Sequence, residues 1–289
     1  MAIAPHLPSV APRLLWHQDV AGWLLAAWEA VAGRHAGYIL RADLHLVRGA
    51  LEHAGGVQAP DGVELTTAVE RWGPYADEGT ADLFDGDTLL HTELTPGNVL
   101  LAGRRVHLVD WARPTRGAVW IDTYLWALRL MDAGHTAAAA VDWACKVPAW
   151  HAGDREAIRA FGAAVTRVWH EIATEQPTAW KLHMAVQAAE LRAYLSLEPD
   201  QADCVPVAGK HEQGAPARRL RRLWSGLVGR GRPGGTVDAQ VSGGYLFRFK
   251  SGSGHLPPSV SPPEPSSHHS TAARPLTSGP VRPETHAWM

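Results

Sequence analysis

Lysine is almost missing from this chain: the first is Lys146, so the residues before it carry their fixed positive charge on arginine alone. No lysine ammonium is available in that half to hold a phosphate. Cysteine is scarce too, and Cys145 and Cys204 are too few for a disulfide framework. No run of about eighteen apolar residues occurs, which excludes a membrane-spanning helix. The N-terminus has neither a basic stretch ahead of a long apolar one nor an A-x-A cleavage pattern, so no secretory signal is expected. These absences point to a soluble, cytoplasmic protein without a membrane partner.

What is present divides unevenly along the chain. The 289 residues are 46% hydrophobic, ample for a core. Residues 201–289 hold 11 of the 21 prolines and 11 basic against 5 acidic side chains, whereas residues 1–200 carry 16 basic against 24 acidic. A net charge of −2 thus conceals an acidic body and a basic tail. From Gly229 the sequence is dominated by Gly, Ser and Pro, which cannot bury enough apolar surface to offset the entropy of ordering, so residues 200–289 are expected to form a disordered tail. The abundance of arginine, alanine and tryptophan is read as coding bias.

Along the body, residues 13–30 suggest two short apolar strands around a polar turn at Gln18-Asp19. Leu44, Leu46, Val47 and Leu51 recur at roughly helical spacing and predict a helix from Leu40 to His53, closed by Gly55-Gly56. Thr66 to Trp72 is a shorter helical candidate stopped by Gly73-Pro74. Thr88 to His91 reads as a strand. Val99-Leu100-Leu101 and Val106-His107-Leu108-Val109, joined through Gly103, predict a β-hairpin that brings Asn98 and Asp110 together at its open end. Helices are expected from Ile121 to Gly134, from an N-cap at Thr136 to about Lys146, through Ile158, Phe161, Val165, Val168 and Ile172, and from about Thr178 to Leu197.

The chemistry-bearing stretch is His91-Thr92-Glu93-Leu94-Thr95-Pro96-Gly97-Asn98, with Asp110-Trp111 twelve residues beyond the asparagine. In the pattern H-x-D-x-x-x-x-N, an aspartate accepts the proton of an attacking hydroxyl while the asparagine and a later aspartate hold Mg²⁺ against ATP phosphates. Glu93 stands where that aspartate belongs. Taken singly, an aspartate at a strand end is commonly a turn or cap residue, and an asparagine after glycine often finishes a tight turn. The joint spacing is what singles these residues out.

Residues 88–122 closely resemble the aminoglycoside phosphotransferase family of kinase-like enzymes, and a looser similarity covers about residues 13–197. Ala30-Val31-Ala32-Gly33-Arg34 is similar to the glycine-containing segment that follows the family's hinge. The resemblance implies an α+β, protein-kinase-like fold. Residues 1–30 would be a vestigial small lobe and hinge, residues 31–199 a mainly helical large lobe with the catalytic loop, and residues 200–289 the tail. It implies transfer of the ATP γ-phosphoryl group to a small-molecule hydroxyl acceptor, with Glu93 as general base, His91 bracing the loop, and Asn98 and Asp110 binding Mg²⁺ and ATP. Asp122 looks like the family's later, loop-supporting aspartate.

The departures point toward impaired activity. No lysine and no G-x-G-x-x-G precede the loop, although phosphoryl transfer depends on positioning and charge neutralisation. Glutamate adds a methylene to the base, and a misplacement of about 1 Å can cost on the order of 10²-fold in rate. A catalytically inactive kinase-like binding module, or a truncated gene product, is therefore the competing reading. The missing strands should also leave apolar surface of residues 14–28 partly uncovered.

Two other classes are set aside. His91-Thr92-Glu93 matches half of a zinc deaminase signature, but no P-C-x-x-C follows, and His268-His269 have no cysteine or carboxylate cluster beside them. Arg218 to Arg232 form a basic run with Trp224 as its single aromatic, so nucleic acid is not expected as a partner.

Overall fold

A computed structural model of the protein describes residues 2–20, 23–197 and 244–250, which are a mixture of helices and small sheets and divide into two compact units. Among the described residues no helix is long and apolar enough to cross a membrane. The possible basic helix at residues 218–224, and most of the segment expected to lack order, lie outside the described residues.

The smaller unit comprises Arg13–Ala30 and the segment beginning at Gly244. Strands β1 (Leu14–Val20) and β2 (Trp23–Glu29) pair antiparallel, from Val20 opposite Trp23 to Leu14 opposite Trp28, with an irregularity between Leu14 and Trp16. Gln18 and Asp19 lie inside β1, opposite Leu25 and Leu24, and not in the turn where sequence polarity suggested it. Both are exposed, and an exposed strand tolerates polar residues without ending. The expected uncovered apolar surface is present, with Leu15, Trp16 and Val20 each more than two-fifths exposed.

A strand not foreseen in the tail, β9 (Gly244–Lys250), pairs antiparallel with β2 on its other edge, Ala26 facing Phe247. Its aromatic residues at alternate positions, Tyr245, Phe247 and Phe249, favour a pleated strand. That local β preference runs against the Gly/Ser/Pro composition around it.

The larger unit holds Ala2–Pro12 and the chain from Val31. Strand β3 (Arg34–His35) joins β6 (Val99–Ala102) and β7 (Arg105–Leu108) in one sheet. Gly33 permits that pairing, because a Cβ there would stand 2.6 Å from the Leu101 carbonyl oxygen. The β6–β7 turn places Gly103 at φ 63°, the left-handed region glycine enters freely. In the second sheet, β8 (Thr115–Gly117) lies between β4 (Thr66–Thr67) and β5 (Thr88–Leu90).

The helices follow their periodicities closely. Helix α1 (Arg41–Ala54) buries Leu44, Val47, Ala50 and Leu51. Helix α2 (Ala68–Trp72) is only five residues long, and a reciprocal capping box between Thr67 and Glu70 satisfies its first amides. Helix α3 (Ile121–Asp132) is buried on nearly all sides, beyond the single apolar face its spacing suggested, because it runs through the core. Helix α4 (Ala137–Ala144) is capped by Thr136, whose hydroxyl accepts from the Ala139 amide. Helices α5 (Arg155–Glu175) and α6 (Ala179–Leu197) complete the unit.

Phe161 of α5 sits at the centre of the core, fully buried. Its ring meets Trp72, Phe84, Trp120 and Tyr124 edge-on at centroid separations of 5.0, 5.3, 5.4 and 5.2 Å. Such pairs contribute beyond the area they bury. Phe161→Ala should therefore cost about 3–5 kcal/mol of stability, read from denaturant unfolding of the full chain. A loss below about 1 kcal/mol would mean that the cluster closes around the gap.

Candidate functional site

Strand β5 delivers the chain to His91, and the hairpin β6–β7 begins just past the 3-10 turn Pro96–Asn98. Val99 faces Leu108 in the hairpin ladder, and the Val109 amide donates to the Asn98 carbonyl at 2.9 Å, carrying the pairing one step further. Asn98 and Asp110 thus stand at the open end of the hairpin, as its spacing predicted.

Two non-glycine residues among those described adopt positive φ, Thr92 at 65° and Asp110 at 64°. Each costs of order 1–3 kcal/mol and persists only where its surroundings impose it. At Thr92 the imposing group is Asp122, on the first turn of α3. Its Oδ2 accepts from the His91 amide at 2.8 Å and its Oδ1 from the Thr92 amide at 2.7 Å. Asp122 is buried and faces the loop backbone, a supporting role and not one in contact with a ligand.

The His91 ring ties the loop to the hairpin. Its Nε2 donates to the Val109 carbonyl at 2.8 Å and its Nδ1 accepts from the Glu93 amide at 3.2 Å. An amide can only donate and a carbonyl only accept, so one neutral tautomer satisfies both. Trp111 packs edge-on against the ring at 4.7 Å. With both nitrogens used and the ring buried, His91 is a positioning residue and has no lone pair for a metal.

Three oxygen groups are left over at the mouth. The Asn98 amide nitrogen donates to the Glu93 carbonyl at 3.0 Å, which leaves its Oδ1 directed elsewhere. That Oδ1 and the carboxylates of Glu93 and Asp110 make no hydrogen bond to protein among the described residues. Burial raises both carboxyl groups above their usual range, and the charge of Asp110 raises Glu93 further. Arg129, Arg113 and Arg71 act in the opposite direction on Glu93. Unpaired hard oxygens with mutually repelling charges suit a divalent cation that keeps several waters or phosphate oxygens of its own. Among the described residues there is no group of three or more His, Cys, Asp or Glu side chains able to hold a metal by themselves.

The sequence reading named His91, Glu93, Asn98, Asp110 and Asp122, and the fold gathers all five. It missed the arginines. Arg71 of α2 donates to Thr92 Oγ1 at 2.7 Å and Thr115 Oγ1 at 3.0 Å, contacts spanning 21 and 44 residues that no local spacing announces. Arg129 of α3 lies over the rings of Trp169 and Trp180, 5.5 and 5.6 Å from their centroids. Tyr38, equally unannounced, donates its hydroxyl to the Leu94 carbonyl at 2.9 Å. A separate groove of about 510 Å³, lined by Tyr75, Arg167, His170 and Glu171 among others, includes none of these site residues.

No family model matches this chain, and no curated protein matches it. The likeness to kinase-like phosphotransferases therefore rests on the residues themselves.

The two buried ionisable groups of the loop oppose each other with pH. Burial drives His91 down from 6.5 to about 4 and Asp122 up from 3.8 to about 6. The depressed histidine contributes stability that is complete above pH 6.5 and lost as pH falls through about 4, on the order of 3 kcal/mol. The raised aspartate contributes stability that is complete below pH 3.8 and lost as pH rises through about 6. Asp122→Asn removes the second and exposes the first. Its melting temperature should fall more steeply than the parent's between pH 6.5 and 4, and parallel curves would rule the opposition out.

Proposed function

We propose that this chain is a kinase-like phosphotransferase of weak activity, acting from ATP on the hydroxyl of a small molecule. The observation that carries the reading is the group of unpaired oxygens, Glu93 carboxylate, Asn98 Oδ1 and Asp110 carboxylate, at the mouth of one hairpin. Structural turn residues would be expected to satisfy their own side chains locally.

Glu93 is the proton acceptor. The acceptor oxygen bonds to the γ-phosphorus, the bond from that phosphorus to the β–γ bridging oxygen breaks to leave ADP, and the hydroxyl proton passes to Glu93. Burial, and then the charge of Asp110, raise Glu93 above the usual carboxylate range, which makes it a better base than an exposed glutamate. Asn98 and Asp110 would hold Mg²⁺, which when bound neutralises charge on the phosphates. His91 and Asp122 keep the Glu93 backbone in place.

Two features weaken the activity. Residues 1–92 contain no lysine and no G-x-G-x-x-G pattern to cover the phosphates, so nucleotide affinity would depend on the metal and its ligands. The longer glutamate also places its carboxylate differently from an aspartate. A non-catalytic nucleotide-binding module is the second reading, favoured by the same absences.

Calorimetric titration with Mg·ATP tests both. Weak binding is expected, lowered at least tenfold by Asp110→Ala and by Asn98→Ala, because each removes an oxygen from the cation. Glu93→Asp should raise turnover of a hydroxylated acceptor panel by about 10- to 100-fold, and Glu93→Gln should abolish it. No binding of Mg·ATP at millimolar concentration would sink the phosphotransferase reading. Binding without turnover in both the parent and Glu93→Asp would establish the binding module instead.

A further inference from the structure

Strand β1 is an edge. In the sheet of the smaller unit β2 lies between β1 and β9, so one row of β1 backbone amides and carbonyls has no strand beside it among the described residues. Every residue from Leu15 to Val20 is exposed, and three of them, Leu15, Trp16 and Val20, are large and apolar. Edge strands are ordinarily blunted by lysine, by proline or by a bulge. Leu14–Val20 contain no lysine and no proline, and their pairing with β2 is regular from Trp16 to Val20. An unpaired edge of this kind is a template for one more strand.

The sequence of β1 is complementary to itself. Backbone groups along a strand turn to alternate sides, so two antiparallel copies pair only in registers that set odd positions opposite odd and even opposite even. Centred on Gln18, such a register puts Trp16 opposite Val20 of the second copy and His17 opposite Asp19, each pair occurring twice about the two-fold axis. Trp16, Gln18 and Val20 then share one face of the joined sheet, and His17 and Asp19 the other. An aromatic ring against a β-branched side chain is a stabilising cross-strand combination. The imidazole of His17 can donate to the Asp19 carboxylate, more strongly when the ring is protonated. Centring on His17 instead sets two imidazoles together and Asp19 against Leu15, which gains neither.

We infer that this chain associates with a second copy of itself through β1, antiparallel and centred on Gln18, joining the two three-stranded sheets into one continuous sheet. Trp16 and Val20, exposed in the single chain, cover one another in the pair. A single strand pair is a small interface, so the dimer is weak and depends on concentration. The contact lies in the smaller unit and does not depend on phosphotransfer.

Sedimentation of the full chain up to submillimolar concentration tests the contact, and the parent should show a monomer–dimer equilibrium. Asp19→Lys removes the carboxylate that His17 meets, and His17→Glu sets carboxylates opposite each other. Each should weaken the dimer by about tenfold. Mixed in equal amounts, the two variants should regain the parent's association, because the introduced lysine of one copy then faces the introduced glutamate of the other while the native His17 faces the native Asp19. Recovery on mixing also shows that both variants are folded. Independently of any variant, amide hydrogen exchange over residues 14–20 of the parent should slow as concentration rises through the dimer range. A monomeric parent, with exchange independent of concentration, overturns the proposal and leaves the edge to an extended segment of another protein. A dimer that neither substitution weakens, or that mixing does not restore, overturns it as well, since the contact then lies elsewhere or in another register.

Discussion

The arrangement at the hairpin mouth depends on one carboxylate. Asp122 takes the amides of His91 and Thr92 on its two oxygens, and without it those amides would be buried donors lacking partners, at about 1–3 kcal/mol each. The same two bonds hold Thr92 at a positive φ that a branched side chain otherwise avoids. The reversal at Thr92 is what sends Glu93 out of the strand direction of β5 and toward Asp110. Asp122 in turn is positioned because α3 begins beside the loop and is buried along almost its whole surface.

A second constraint closes the loop from the other side. His91 binds the Glu93 amide and the Val109 carbonyl with opposite ring nitrogens, so the loop and the hairpin end cannot separate without leaving a buried ring nitrogen unpaired. Val109 is also the residue whose amide meets Asn98. The backbone of Glu93 and the hairpin end bearing Asn98 and Asp110 are consequently held by one short chain of hydrogen bonds. The groups without partners are the ones that would meet a ligand.

Charge around Glu93 is balanced loosely. Glu93 and Asp110 repel, Arg129, Arg113 and Arg71 attract Glu93, and among the described residues none of these is locked in an ion pair with another. Contrast Arg34 and Asp43, where a two-pronged contact at 2.6 and 2.7 Å, joined by the Gly37 amide, fully uses the buried carboxylate. That pair anchors β3 to α1.

Much of this was legible in the sequence, because the determinants are local. The 3.6-residue recurrence of Ile158, Phe161, Val165 and Val168 places a helix whatever surrounds it, and Val99 to Val109 with Gly103 between specifies a hairpin, hence the approach of Asn98 to Asp110. Strand β9 was hidden because seven residues of β preference lie within a composition that argues for disorder. The turn after β1 was misplaced because polarity at Gln18-Asp19 reports exposure as readily as chain reversal. Tertiary structure alone decided which charged side chains attend the Glu93 loop: Arg71 reaches it through Thr92, 21 residues away, and Arg129 acts from α3, a helix buried on nearly all sides. Spacing in a sequence encodes contacts made within one element or across one turn. Contacts between distant elements follow from how those elements pack, and it is packing that brought the positive charge to Glu93.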